Sequence, residues 1–352
     1  MAQTPIENIN TDASSSAGSI VPEVKSGVGK LILISTIFIL LFGYAITVYW
    51  SFEPEPVEIY NDKAWVNEAE GKRRITGYTV VNTLADVIEV LLEKPGGFLG
   101  NDIMPPSVFM DNMPAFEYGV LIQSRDLTRS LRNSFSRSQS QSSEQEDLKS
   151  AEPKMYLAHG TWMLPSPEGE YADAVKALRT YRDKLSNPNN PETQFYARAD
   201  NLREYLGEVS TRLGSYSQKL SASVGQERIN TDLAGDSSAT QSTSSSSSLK
   251  VKTPWFEIDD IFYEARGASW ALAQYLRAIE VDFAEVLEKK NAVASLRQII
   301  RELEATQESI WSPMILNGGG FGFVANHSLV MASYISRANA GLIDLRELLS
   351  RG

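Results

Sequence analysis

Apolar positions recur along this chain at intervals of three and four, except near the start, where they stop alternating with polar residues altogether. Residues 31–50 form a run of twenty without a charge. At about 1.5 Å per helical residue it reaches roughly 30 Å, the thickness of a bilayer's hydrocarbon core. Tyr44, Tyr49, Trp50 and Phe52 close the run where a cleaved signal peptide would place small residues. Aromatics there suit the interfacial belt of a permanent span, and no polar face marks the run as a buried core helix. The pattern predicts a transmembrane helix over 30–51, preceded by a Ser-, Thr- and Asn-rich disordered tail over 1–29 and followed by a stiff, acidic, Pro-containing linker over 52–75.

From 76 to 352 the period is helical. Val80, Leu84, Val87, Val90 and Leu91 mark one helix, stopped by Lys94-Pro-Gly-Gly. Phe116, Val120 and Leu127 mark a second over 116–137, and Ser166-Pro-Glu-Gly-Glu opens a third. Leu202, Leu206, Val209, Leu213, Tyr216 and Leu220 follow at spacings of 4, 3, 4, 3 and 4, a heptad seam. Phe262, Ala265, Ser269, Leu272, Leu276, Ile279, Phe283 and Val286 keep the same rhythm. Leu296 to Ile310 and Ile335 to Leu349 carry two more helices. No run has a period of two. The expected fold is mostly α: one transmembrane helix and a helical bundle, its seams packed within the chain or between two chains. Ser-rich stretches at 134–150 and 231–253 interrupt it; the first continues a helical pattern, and the second reads as a long flexible excursion.

Net charge is −11, from 44 acidic and 33 basic residues, the reverse of a nucleic-acid binder's balance. The absence of Cys removes disulfides, zinc–thiolate sites, iron–sulfur clusters and thiol catalysis together. Lys25 and Lys30 precede the span and only Lys63 follows closely, which favours a cytoplasmic N-terminus and an exported body.

Candidate chemistry is sparse. The two histidines, His159 and His327, have no ligand partner three or four residues away, and no Gly-x-Ser-x-Gly elbow accompanies them. Asn317-Gly-Gly-Gly-Phe-Gly-Phe opens the last helix. Gly318, Gly319, Gly320 and Gly322, with His327 beyond them, could cradle an anion on free N–H groups. The rival reading is a tight helix–helix connection whose phenylalanines cap the core. Arg125, Arg129 and Arg132 make a basic stripe that could meet an anionic partner or pair with carboxylates of the chain. Asp259, Asp260 and Glu264 hint at a divalent cation, although a helix start favours carboxylates without one. No metal, cofactor or catalytic set emerges.

Several long phrases resemble one family: Asp111-Asn-Met-Pro, Ser136-Arg-Ser-Gln-Ser-Gln-Ser, Phe195-Tyr-Ala-Arg-Ala-Asp-Asn-Leu, Phe262-Tyr-Glu-Ala-Arg-Gly, Gln298-Ile-Ile-Arg-Glu-Leu-Glu and Asn326-His-Ser-Leu-Val-Met-Ala. Together they are similar to the proteobacterial family catalogued as domain of unknown function twenty-three thirty-three. The resemblance implies a Gram-negative envelope protein, with an inner-membrane anchor and a periplasmic domain, and carries no reaction or site residues. The expectation is a non-enzymatic interaction or scaffold protein whose partners are the bilayer and either another protein or a second copy, and not nucleic acid. An envelope enzyme or ligand-binding domain acting on lipid, glycan or peptide is the alternative.

Overall fold

The computed structural model describes residues 26–59, 65–68, 71–138, 144–229, 248–312, 314–319 and 322–351. The expected N-terminal tail up to residue 25, Gly320, and most of the second Ser-rich stretch (230–247) lie outside them. The chain divides into two compact units, Met1–Ala45 and Ile46–Gly352. The described part of the first is most of helix α1 (Ser26–Trp50). Its apolar side chains are exposed, and Gly27–Trp50 is long and apolar enough to cross a membrane, as an anchor or a signal sequence would be.

The second unit is helical. Its elements are α2 (Tyr78–Glu93), α3 (Asn112–Ser130, extended by a π-helical turn Leu131–Phe135), α4 (Glu146–Met155), α5 (Pro167–Ser186), α6 (Ala199–Ser221), α7 (Ile258–Asp282), α8 (Ala284–Lys289), α9 (Val293–Ala305) and α10 (His327–Ser350). Two antiparallel hairpins of four-residue strands, β1–β2 (Trp65–Glu68 with Gly71–Arg74) and β3–β4 (Gln226–Ile229 with Ser248–Val251), join them. The period-two pattern missed both because strands this short, β4 being exposed along its length, need no alternation of apolar residues.

Local chemistry sets the helix starts. Ser166 Oγ accepts from the Gly169 N–H at 3.2 Å, with Pro167 at the first helical position of α5. Asn326 Oδ1 accepts from the Leu329 N–H at 2.9 Å and caps α10. The α6 seam is buried along its whole length, from Leu202 to Leu220, and α6 packs on α10 of the same chain, whose Ile335, Ala338, Leu342, Leu345 and Leu349 are buried in turn. Intramolecular packing thus uses the heptad pattern.

The central pair is α3 and α7, which pack more extensively than any other two helices. Gly119 and Gly267 let their backbones touch: a Cβ at 119 would lie 2.0 Å from the Glu264 carbonyl oxygen, and one at 267 would lie 2.0 Å from that of Phe116. Ser124 and Tyr275 share a hydrogen bond of 2.6 Å across the same seam. Arg212 of α6 holds the buried Asp126 of α3 through two bonds of 2.8 and 3.1 Å.

Side-chain contacts sort the connections between helices to two ends. At the distal end, Val80 N–H of α2 donates to Asp282 of α7 at 2.8 Å, and Tyr196 N–H donates to the Phe135 carbonyl at 2.7 Å. There Phe135, Phe195 and Phe283 pack ring to ring at 5.3–5.7 Å and are buried. The proximal end is where the chain leaves α1. Trp50 lies against Gly96, and Glu53 pairs with Arg266 at 2.7 Å. Lys94 pairs with Glu117 at 2.7 Å, Asn101 donates to the Thr161 carbonyl at 3.2 Å, and Asn317 donates to the Ser223 carbonyl at 3.1 Å. These contacts bring the α2–α3, α4–α5, α6–α7 and α9–α10 connections together with the segment after Trp50.

Candidate functional site

Among the described residues, an apolar groove of about 420 Å³ lies at the proximal end, between the start of α7, the α9–α10 connection and the first turns of α10. Phe262, Ile310, Trp311, Leu316, Met331 and Tyr334 give it an apolar lining. Its polar floor is Arg266, which is 5% exposed. The helix pattern explains the position: Arg266 sits between the buried Ala265 and Gly267, facing the C-terminus of α9. Its Nε donates to Glu53 at 2.7 Å, Nη1 to the Thr306 and Glu308 carbonyls at 2.8 and 3.0 Å, and Nη2 to the Gln307 carbonyl at 3.0 Å. The first of those carbonyls is the C-cap carbonyl of α9 and the other two belong to the turn that follows, and the guanidinium satisfies all three. With all three nitrogens engaged, it is a structural cation rather than a receptor for an anionic ligand.

His327 lines this groove. Its Nδ1 accepts from the Leu316 N–H at 3.1 Å, its ring lies 6.5 Å from that of Phe262, and burial lowers its pKa. The neutral ring therefore carries its proton on Nε2. The glycine stretch forms the neck of a small hairpin: the Gly318 N–H donates to the Ala325 carbonyl at 3.0 Å and the His327 N–H to the Leu316 carbonyl at 3.0 Å. A Cβ on Gly318 would lie 1.9 Å from the Val324 carbonyl oxygen, so glycine is needed for the close approach. The Gly318 N–H is thus spent within the hairpin, and Gly319 and Gly322 lie near its tip. The phenylalanine cap does not form at Phe323, which is fully exposed; Phe321 lies outside the described residues.

His159 is elsewhere. Its ring stacks on Tyr118 at 4.4 Å, and burial, followed by the charge of Arg125, lowers its pKa. Neither His159, Trp162 nor any arginine of the stripe lines the groove. Arg125 donates to the Met155 and Leu157 carbonyls at 2.6 and 2.7 Å and ties α3 to the end of α4. Arg129 pairs with Glu208 at 2.6 Å, and Arg132 with Glu152 at 2.6 Å and Glu144 at 3.2 Å. All three guanidiniums are therefore used inside the fold.

Asp259, Asp260 and Glu264 lie on the first turns of α7. No group of three His, Asp or Glu side chains suited to hold a metal occurs among the described residues. The Asp260 carboxyl is pushed up to about 6, first by burial and then by the charges of Asp111 and Asp259. The folded-state value lies above the ordinary one, so the folded form binds the extra proton and stability falls as pH rises from about 4 to about 6. Asp260→Asn should therefore be more stable than wild type at pH 7, by about 1 kcal/mol once solvent screening is allowed for. The two should unfold alike near pH 4. Chemical unfolding followed by circular dichroism at both pH values measures this.

Sequence spacing did not single out Arg266, Lys94 or Glu117. The available signal was a charge inside an apolar helical face, as in Ala265-Arg266-Gly267 and Phe116-Glu117.

Residues 24–352 match the family described as uncharacterized protein conserved in bacteria (DUF2333), and the chain belongs to it. No curated protein matches the chain, and no solved structure matches it.

Proposed function

We propose that this is a single-pass membrane-anchored interaction protein without enzymatic activity, whose helical body presents the proximal groove to a protein partner or a second copy of itself. The observation that carries this reading is the groove's make-up: an apolar cleft whose one buried charge is neutralised by Glu53 and backbone carbonyls. Such a surface suits association through apolar contacts, and aromatic residues at its rim suit an interface hot spot. The enzyme reading required His159, the glycine hairpin and the arginine stripe to converge on one pocket; His159 lies near Arg125, but neither lines the groove beside the hairpin. In this proposal the anchor sits in the inner membrane of a Gram-negative cell, with the N-terminus in the cytoplasm and the body in the periplasm.

Val330→Asp places a charge on the groove's exposed wall without touching the core. The detergent-solubilised wild-type particle is expected to contain a stoichiometric second polypeptide, and the variant to lose it. A phosphatase reporter fused after Gly352 should be active in the same strain. A wild-type particle that is strictly monomeric, or identical to the variant's, would overturn the reading.

A further inference from the structure

Exposed apolar side chains are distributed unevenly over the body. Outside α1, every large one among the described residues lies on the segment after Trp50, on a proximal connection or in the first turn of α10, Ile343 excepted. Phe109 marks the α2–α3 connection, Leu164 the α4–α5 connection, Phe256 the α6–α7 connection and Phe323 the α9–α10 hairpin. They are 79%, 92%, 81% and 111% exposed. The distal end has aromatics too, but folds them inward: Phe135, Phe195 and Phe283 are buried against one another. Composition alone does not cause the asymmetry, since both ends carry phenylalanine.

The geometry points to the proximal end as a lipid-binding face: the tips of the four connections insert into the interface of the same bilayer that holds α1. This rests on the anchored reading above. Three observations select lipid over a protein surface for the loop tips, while Trp311 and Val330, which line the groove, stay with the partner of the reading above. Glu53, only three residues beyond the last residue of α1, is bonded to Arg266 within this end, so at most about 10 Å of chain separates the two. The apolar side chains stand on four different connections of the chain, gathered at the end where the chain leaves α1. Exposed Trp, Phe, Leu and Met are also the residue types that settle at the level of lipid headgroups. Charges of both signs lie at this end, Asp111, Glu257, Asp259 and Asp260 against the exposed Lys250 and Lys252 of the α6–α7 connection. The apolar tips and not a net charge therefore carry the attraction, and a neutral lipid surface suffices.

The chain contains no Cys, so one introduced thiol reports on one site. Full-length protein carrying a single Cys at Phe109, Leu164, Phe256 or Phe323 would be reconstituted in phosphatidylcholine vesicles and labelled with a nitroxide. Matching labels at the exposed distal positions Asn189 and Glu285 serve as controls. The four proximal labels are expected to lose access to a water-soluble nickel chelate and to gain collisions with oxygen dissolved in lipid, while the distal pair stays water-accessible. If all six are water-accessible while the protein resists alkaline carbonate extraction, the lipid-binding face is wrong and the anchor stands. If carbonate extracts the protein, the anchored reading itself fails. Protection that fades as lipid is added in excess would mark contact between copies and would also overturn the inference.

Discussion

Gly267→Val should cost the body about 3 kcal/mol or more, enough to prevent stable folding of a marginal helical domain. The new side chain would meet the Phe116 backbone at 2.0 Å, and backbone cannot step aside as a side-chain tip can. Gly119→Val should do the same from the opposite helix, against the Glu264 carbonyl. The two helices could part only by opening the central seam, which would strand Ser124, Tyr275 and the apolar side chains around them. Gly214→Ala is the control: its Cβ would find only Asn339 Nδ2 at 3.6 Å, an ordinary contact. It should be neutral or stabilise by up to about 1 kcal/mol through helix propensity. Thermal unfolding of the solubilised chain, followed by helical circular dichroism, separates the two classes. Equal melting temperatures for the Gly267 and Gly214 variants would refute the close crossing.

That crossing also shows where sequence reading reaches its limit. The α6 seam was legible because one face is apolar and the other polar, so the spacing of Leu202 to Leu220 states which side is buried. In α3 the signal weakens: Glu117, Gln123, Ser124, Asp126 and Thr128 are buried along with Phe116 and Val120, because the helix is enclosed on several sides. Their burial depends on partners far away in sequence, such as Arg212 and Tyr275. Helix α4 escaped as a separate element because it is short, contains Pro153 and buries only Leu148, Ala151 and Met155. The arginine stripe was visible as spacing, yet its meaning came from Glu152 and Glu208 on other helices. Of the groove only His327 and the glycine stretch beside it stood out in the sequence; the rest had no signature, since α7, α10 and the loop between α9 and α10 each contribute a wall.

Glu117→Ala should cost about 4 kcal/mol, while Glu117→Gln should cost much less. The carboxylate is wholly buried and accepts from the Leu99 N–H at 2.9 Å, the Gly100 N–H at 2.8 Å and Lys94 Nζ at 2.7 Å. Alanine would leave two buried amides without an acceptor and the buried ammonium without its counter-charge, held only by the Gly97 carbonyl at 2.7 Å. Glutamine keeps an oxygen there, and burial already holds the Glu117 carboxyl at about 6 against the pull of Lys94. A neutral acceptor is therefore tolerated, because desolvation cancels much of what the ion pair gains. The pH dependence has a definite sign. The folded-state pKa is raised, so the wild-type protein loses stability from this group as pH rises from about 4.5 through 6, and the glutamine variant lacks that slope. Because Glu117 holds the start of the connection that carries Phe109, the alanine variant should also loosen one lipid-facing loop. Hydrogen exchange at the Leu99 and Gly100 amides reads that directly: fast exchange is expected in Glu117→Ala and slow exchange in Glu117→Gln. Equal protection in both variants would show that the carboxylate does not hold this loop.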